Sequence, residues 1–178
     1  LSQEEFATLA EAQALARDVL RDAELERRVL GMTFRRSATN LLQGLKQVAG
    51  QPMEQLLYDS ALRLAVLLGE VVDPKSQVLV LREAAQLPVD PALARDLGQR
   101  AATLASEQLG DAALAASLYQ RALEHAPDSV ELLAALAGEL DKLGRLEELL
   151  VLRRRELSLS SSVARRLELR LDISRVMM

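Results

Sequence analysis

Signals that end one helix and begin the next recur at short intervals along this chain. Asp73-Pro74 and Asp90-Pro91 each place a side-chain acceptor just before a Pro. That pair caps a helix and suits its first turn. Gly110-Asp111, Pro127-Asp128-Ser129 and Gly144-Arg145 repeat the stop-then-start pattern further on. Between these marks the apolar residues fall at helical spacing, as in Leu56, Leu57, Ala61, Leu64, Ala65 and Leu68. Each such segment has an apolar face too broad to stand alone in water, so the helices must stack against one another. Sheet is disfavoured by composition. Leu and Ala total 66 of 178 residues, whereas Val, Ile and Thr together number 18 and aromatics make 2%. Strands favour β-branched and aromatic residues; Leu, Ala, Glu, Arg and Gln favour helix. The expected fold class is all-α, about nine helices in antiparallel hairpins.

The expected elements follow from the same signals. Ser2-Gln3-Glu4-Glu5 has the capping-box pattern. One long helix is expected from Ser2 to Leu30, bent near Arg21-Asp22 and stopped by Gly31. A second runs from Ser37 to Ala49 and ends at Gly50. Pro52 opens a third that ends at Gly69, and Pro74 to Ala85 is a short fourth. Pro91 starts a fifth reaching Leu109-Gly110, and the sixth spans Asp111 to Ala126. Ser129 caps a seventh to Leu143, and Arg145 to Leu157 is the eighth. After a polar loop over Ser158 to Ser162, a last helix starts near Val163.

The segment Asp96 to Ser129 is 34 residues long, and its second half carries the clearest signal. Gly110 permits a tight turn, Ala115 and Ala122 let two helices approach closely, Tyr119 fills a gap, and Pro127 ends the helix. These residues, at these spacings, resemble the second helix of a tetratricopeptide repeat. The next 34 residues, Val130 to Val163, align without a gap. There Leu149 stands for the small Ala, Arg153 for the aromatic, Glu156 for the second Ala and Ser161 for Pro. In the first copy Gln99 and Ser106 stand where the family commonly has aromatics. The resemblance covers residues 57–178, faint over 57–90, clear over 96–129, degenerate over 130–163, with a half unit at 164–178. Residues 1–50 form a separate N-terminal hairpin in this reading.

Chemistry for catalysis is scarce. There is no Cys and one His, His125, at the end of a helix just before Ala126-Pro127. Disulfides, thiol nucleophiles and His/Cys metal clusters are therefore excluded. Glu4-Glu5, Glu24 with Glu26, and Glu147-Glu148 do not converge on one helix face. Glu24 with Arg27 and Arg28 reads as a solvated face. No phosphate loop or dinucleotide fingerprint is present. The expectation is no enzyme, no cofactor and no metal.

What the resemblance implies is a groove lined by the first helix of each unit, binding a peptide or a helix. Its lining in the clearer unit would be Leu97, Arg100, Ala101, Leu104, Glu107 and Gln108. In the next it would be Glu131, Ala134, Ala135, Gly138, Asp141 and Lys142. This set lacks the dense basic clamp that would capture a terminal carboxylate. The net charge is −4, but from Arg145 onward 8 Arg face 5 acids. Arg165, Arg166 and Arg170 could form a basic face, beside Arg153-Arg154-Arg155. Interleaved Glu156, Glu168 and Asp172 and the lack of aromatics there disfavour nucleic acid.

Leu167, Leu171, Val176, Met177 and Met178 would leave an apolar face open at the last helix. Two expectations follow: further repeats beyond it, or self-association through it. No apolar stretch approaches the roughly 18 residues of a membrane span. No basic-then-apolar leader opens the chain, although it begins with Leu1 rather than Met, as an excised piece would. The 19 Arg against 3 Lys suggest a GC-rich bacterial genome, and the missing Cys fit a cytoplasm. The expected role is a protein–protein interaction scaffold. The alternatives are a regulatory segment of a larger enzyme or transcriptional regulator, and an all-helical enzyme with an unrecognised acid–base site.

Overall fold

The computed structural model describes residues 3–48 and 51–177. The chain is all-α, built of consecutive antiparallel hairpins. In order come α1 (Gln3–Ala14), a π-helical stretch (Leu15–Leu20), α2 (Ala23–Leu42), α3 (Met53–Glu70) and α4 (Pro74–Ala85). They are followed by α5 (Pro91–Glu107), α6 (Ala112–His125), α7 (Val130–Lys142), α8 (Leu146–Leu159) and α9 (Val163–Val176). A two-residue antiparallel bridge, Gln47–Val48 with Gln51–Pro52, precedes α3. The helices form two compact units, Leu1–Leu97 and Gly98–Met178, with the division inside α5.

In the first unit α1 packs on α2, α2 on α3, and α3 on α4. Leu30, Leu64 and Leu67 form its buried centre, with Leu68 and Val80 against them. The long opening helix expected from Ser2 to Leu30 does not exist as one piece. The chain breaks at Arg21, which takes a left-handed φ of 52°. Asp22 then caps α2, accepting from the amides of Glu24 and Leu25. Gly31, expected as a stop, lies inside α2. A glycine in a helix interior costs only about 1 kcal/mol, and the buried stripe of Val29, Leu30, Thr33 and Phe34 outweighs it. The helix expected from Ser37 to Ala49 is therefore the second half of α2. It ends at Leu42, where Gly44 turns the chain at φ 81°. Ser2 and Gly50, read as a cap and a stop, lie outside the described residues.

The α3–α4 hairpin follows the sequence reading closely. Pro52 sits at the N-cap of α3, and Asp73 caps α4 by accepting from the Ser76 amide at 3.1 Å. Gly69 is needed for close approach. A Cβ there would lie 2.7 Å from Nε2 of Gln77, whose amide donates to the Ala65 carbonyl at 2.7 Å. The start of α5 is tied to α3 twice. Tyr58 Oη bonds Asp96 Oδ2 at 2.7 Å, and Glu54 accepts from the Asp90 amide at 2.9 Å.

In the second unit α6 packs on α7, α7 on α8, and α8 on α9. The 34-residue spacing is visible in the elements. Helices α6 and α8 begin and end 34 residues apart. Gly110 and Gly144, also 34 apart, hold nearly the same left-handed φ, 64° and 66°. Ala115, Ala122, Leu133, Ala137 and Leu149 are buried. A Cβ on Gly98 would stand 3.6 Å from that of Ala122, which is close helix contact. Tyr119 is buried, and its hydroxyl lies 3.0 Å from Thr103 Oγ1 of α5. The polar loop is shorter than expected, because Ser158 and Leu159 remain helical; Ser162 caps α9.

Candidate functional site

The residues expected to line a groove fall on α5 and α7, and their side chains divide sharply. Arg100, Glu107 and Gln108 on α5 are exposed, as are Glu131, Asp141 and Lys142 on α7. Leu104, Ala134, Ala135 and Gly138 are half-buried. Leu97 and Ala101 are fully buried. They lie one turn apart on the inner face of α5, with Ala94, Ala102 and Ala105, so they serve packing rather than a surface.

The first helices of the second unit are joined by a polar lock that sequence reasoning missed. Ser106 of α5 donates to Glu139 Oε1 of α7 at 2.8 Å. Lys142 Nζ reaches the same oxygen at 2.8 Å and Ser106 Oγ at 3.0 Å. Glu139 is buried, and its other carboxylate oxygen makes no hydrogen bond. A buried carboxylate is costly unless it is paired, so the lysine and the serine are what allow it there. Ser106 was noted only as a lost aromatic. The available signal was its spacing of about one repeat from Glu139.

A second lock joins α8 to α9. Glu156, fully buried, accepts from Arg153 Nη1 at 2.8 Å and from Arg165 at 3.0 and 2.6 Å. Arg165 also bonds Glu168 at 3.0 Å, and Arg153 comes within 4.0 Å of Asp172. The hydrogen bonds to Glu156 raise the pKa of Arg165, so it stays charged. Arg153 and Glu156 thus replace an aromatic and an alanine with a satisfied ion cluster. The basic face is correspondingly reduced. Arg165 is spent on the lock, whereas Arg166 and Arg170 are exposed and make no ion pair among the described residues.

The first unit has its own version. Glu26, grouped with Glu24 in the sequence, is buried rather than solvated, and takes a two-pronged bond from Arg63 at 2.8 and 2.9 Å. That bond raises the Arg63 pKa. His125 is exposed at the end of α6. No group of three or more His, Cys, Asp or Glu among the described residues is arranged to hold a metal ion. No helix among them is long and apolar enough to cross a membrane.

A cavity of about 450 Å³ opens between α6 and α8, above α7. Leu123, Leu136, Leu140 and Leu152 form its apolar lining, with Glu124 and Arg155 among its polar residues. It shares no residue with the groove expected from sequence. It arises between the two second helices, which sequence reasoning had assigned only to packing.

No family model matches the chain. No curated protein matches it either. Among solved structures it is similar to one described as the crystal structure of MamA protein, with a TM-score of 0.47 and 12% identity, over 86% of this chain and 90% of that one.

Proposed function

We propose that the chain is a non-catalytic protein–protein interaction scaffold, binding a peptide or helix along the first helices of its tetratricopeptide-like units. The observation that carries this reading is the exposed, mixed-charge face of α5 and α7. Arg100, Glu107, Gln108, Glu131, Asp141 and Lys142 lie on helices that Ser106 and Glu139 hold together. A face fixed before binding loses less conformational freedom when a partner arrives. The units in this proposal are 57–90, 96–129, 130–163 and the half unit 164–178, after an N-terminal hairpin over 1–50. A bacterial cytoplasm is the proposed setting, supported by the missing Cys and the Arg-rich composition.

The test is selection of peptides from a random display library on the 178-residue chain. Selected peptides should bind Glu131→Lys/Asp141→Lys at least tenfold more weakly than the parent. Peptides that bind both equally, or failure to select any, would overturn the groove.

A further inference from the structure

Helix α9 has two faces of opposite character. Leu169 is buried, and Arg165 on the same side engages Glu156. On the far side Val163, Leu167 and Leu171 are 83%, 60% and 58% exposed. Their spacing of four residues makes a short stripe along one helix face, about 12 Å long at 1.5 Å per residue. Arg166 and Arg170 run beside that stripe.

The cavity between α6 and α8 has the matching features. Its wall along α8 runs from Glu148 to Arg155, about 10 Å on the same rise. Its floor is leucine, and Val151 on its edge is 65% exposed. Glu124 stands at its α6 side, exposed and without an ion pair among the described residues. Arg145 and Arg155 are already engaged by Glu148 and Asp128. The cavity therefore offers an unspent carboxylate, and the stripe offers unspent guanidinium groups.

We infer that the α9 stripe of one copy of this chain docks in the α6–α8 cavity of a second copy. Val163, Leu167 and Leu171 enter the leucine-lined space, and Arg166 or Arg170 meets Glu124. Donor and acceptor are different surfaces of the same chain. The contact is heterologous, so copies add head to tail unless a ring closes. Three apolar side chains make a small interface, so association is weak and concentration-dependent. The inference rests on reading the second unit as an interaction array. The two fail separately, because peptide selection probes the α5–α7 face and this contact uses the α6–α8 side.

The experiment is sedimentation velocity on the full 178-residue chain over a wide concentration range. Leu167→Glu disables the donor and Val151→Glu the acceptor. Both side chains are mostly exposed, and an unchanged circular dichroism spectrum checks that each variant folds. The parent should grow in mass with concentration, and each variant alone should remain a monomer. An equimolar mixture, which keeps one good donor and one good acceptor, should form a dimer and nothing larger. Glu124→Lys should weaken the parent association several-fold, as should added salt. A parent that stays monomeric throughout, or a mixture that fails to pair, overturns the inference. Dimers of Val151→Glu alone would also overturn it, since they would show α9 pairing with α9.

Discussion

Replacing Glu156 by Ala tests whether the second repeat copy is weakened or merely rebuilt. The carboxylate is fully buried and accepts three hydrogen bonds from two arginines. Removing one partner of a buried ion pair generally costs about 3–5 kcal/mol, because the other charge stays behind unpaired. Here the remaining cations have some relief. The Arg165 side chain is 35% exposed and keeps Glu168, and that of Arg153 is 16% exposed with Asp172 nearby. The expected cost is therefore at the low end, about 3 kcal/mol, or two orders of magnitude in the folded-to-unfolded ratio. A urea titration followed by circular dichroism measures it. Hydrogen exchange should place the loss in α8 and α9, and leave α2 and α3 unchanged.

The control is to rebuild this position as the first copy has it. Tyr119 and Ala122 stand where Arg153 and Glu156 do, and the Tyr119 hydroxyl is satisfied by Thr103. The residue 34 positions after Thr103 is Ala137, fully buried and without a hydroxyl. Phenylalanine is therefore the right replacement, not tyrosine. Arg153→Phe/Glu156→Ala should recover most of the lost stability, since replacing a buried ion cluster with packed apolar groups is often neutral. A Glu156→Ala variant within about 0.5 kcal/mol of the parent would refute the reasoning, as that is the behaviour of an exposed pair.

Val72 occupies the left-handed position that closes α3, at φ 57°, and is 84% exposed. Its amide bonds the Gly69 carbonyl and the Asp73 amide bonds that of Leu68, the same pattern that Gly44 and Gly144 complete after α2 and α7. A left-handed Cβ costs about 1–2 kcal/mol, and glycine's greater freedom in the unfolded chain returns part of that. Val72→Gly should therefore stabilise by about 1 kcal/mol, read as a raised urea midpoint; a lowered midpoint would show that Val72 makes a contact worth more than its strain. Asp73 supplies a pH-dependent contribution. Its carboxyl is held below its ordinary 3.8 by hydrogen bonds from Ser76. The stabilisation is complete above that value and is lost as pH falls through the lower folded-state pKa. Asp73→Asn keeps a capping oxygen but cannot titrate. It should flatten the acid limb of a stability-against-pH curve, and an unchanged limb would contradict this.

Much of the architecture was legible in local chemistry. Asp73, Asp111 and Ser129 cap α4, α6 and α7 as read, and the turns at Gly110 and Gly144 lie one repeat apart. Caps and turns act over three or four residues, so a linear reading captures them. The failures came where distant packing overrode a local signal. Gly31 is a stop by itself, yet the apolar stripe on both sides of it carries α2 through. Val72 has no turn signature and still takes the left-handed conformation, because α3 and α4 must meet.

The same division holds for the candidate surfaces. The helical period placed Arg100, Glu131 and Lys142 on α5 and α7 without any structure. Burial is a property of neighbours, so only the tertiary structure could remove Leu97 and Ala101 from that surface. Only the tertiary structure, likewise, brought Ser106 to Glu139, Arg63 to Glu26 and Arg165 to Glu156. In the sequence these are scattered charges and a degenerate repeat. A buried carboxylate is tolerated only with its cation in hydrogen-bond reach, and that reach is set by how the helices pack.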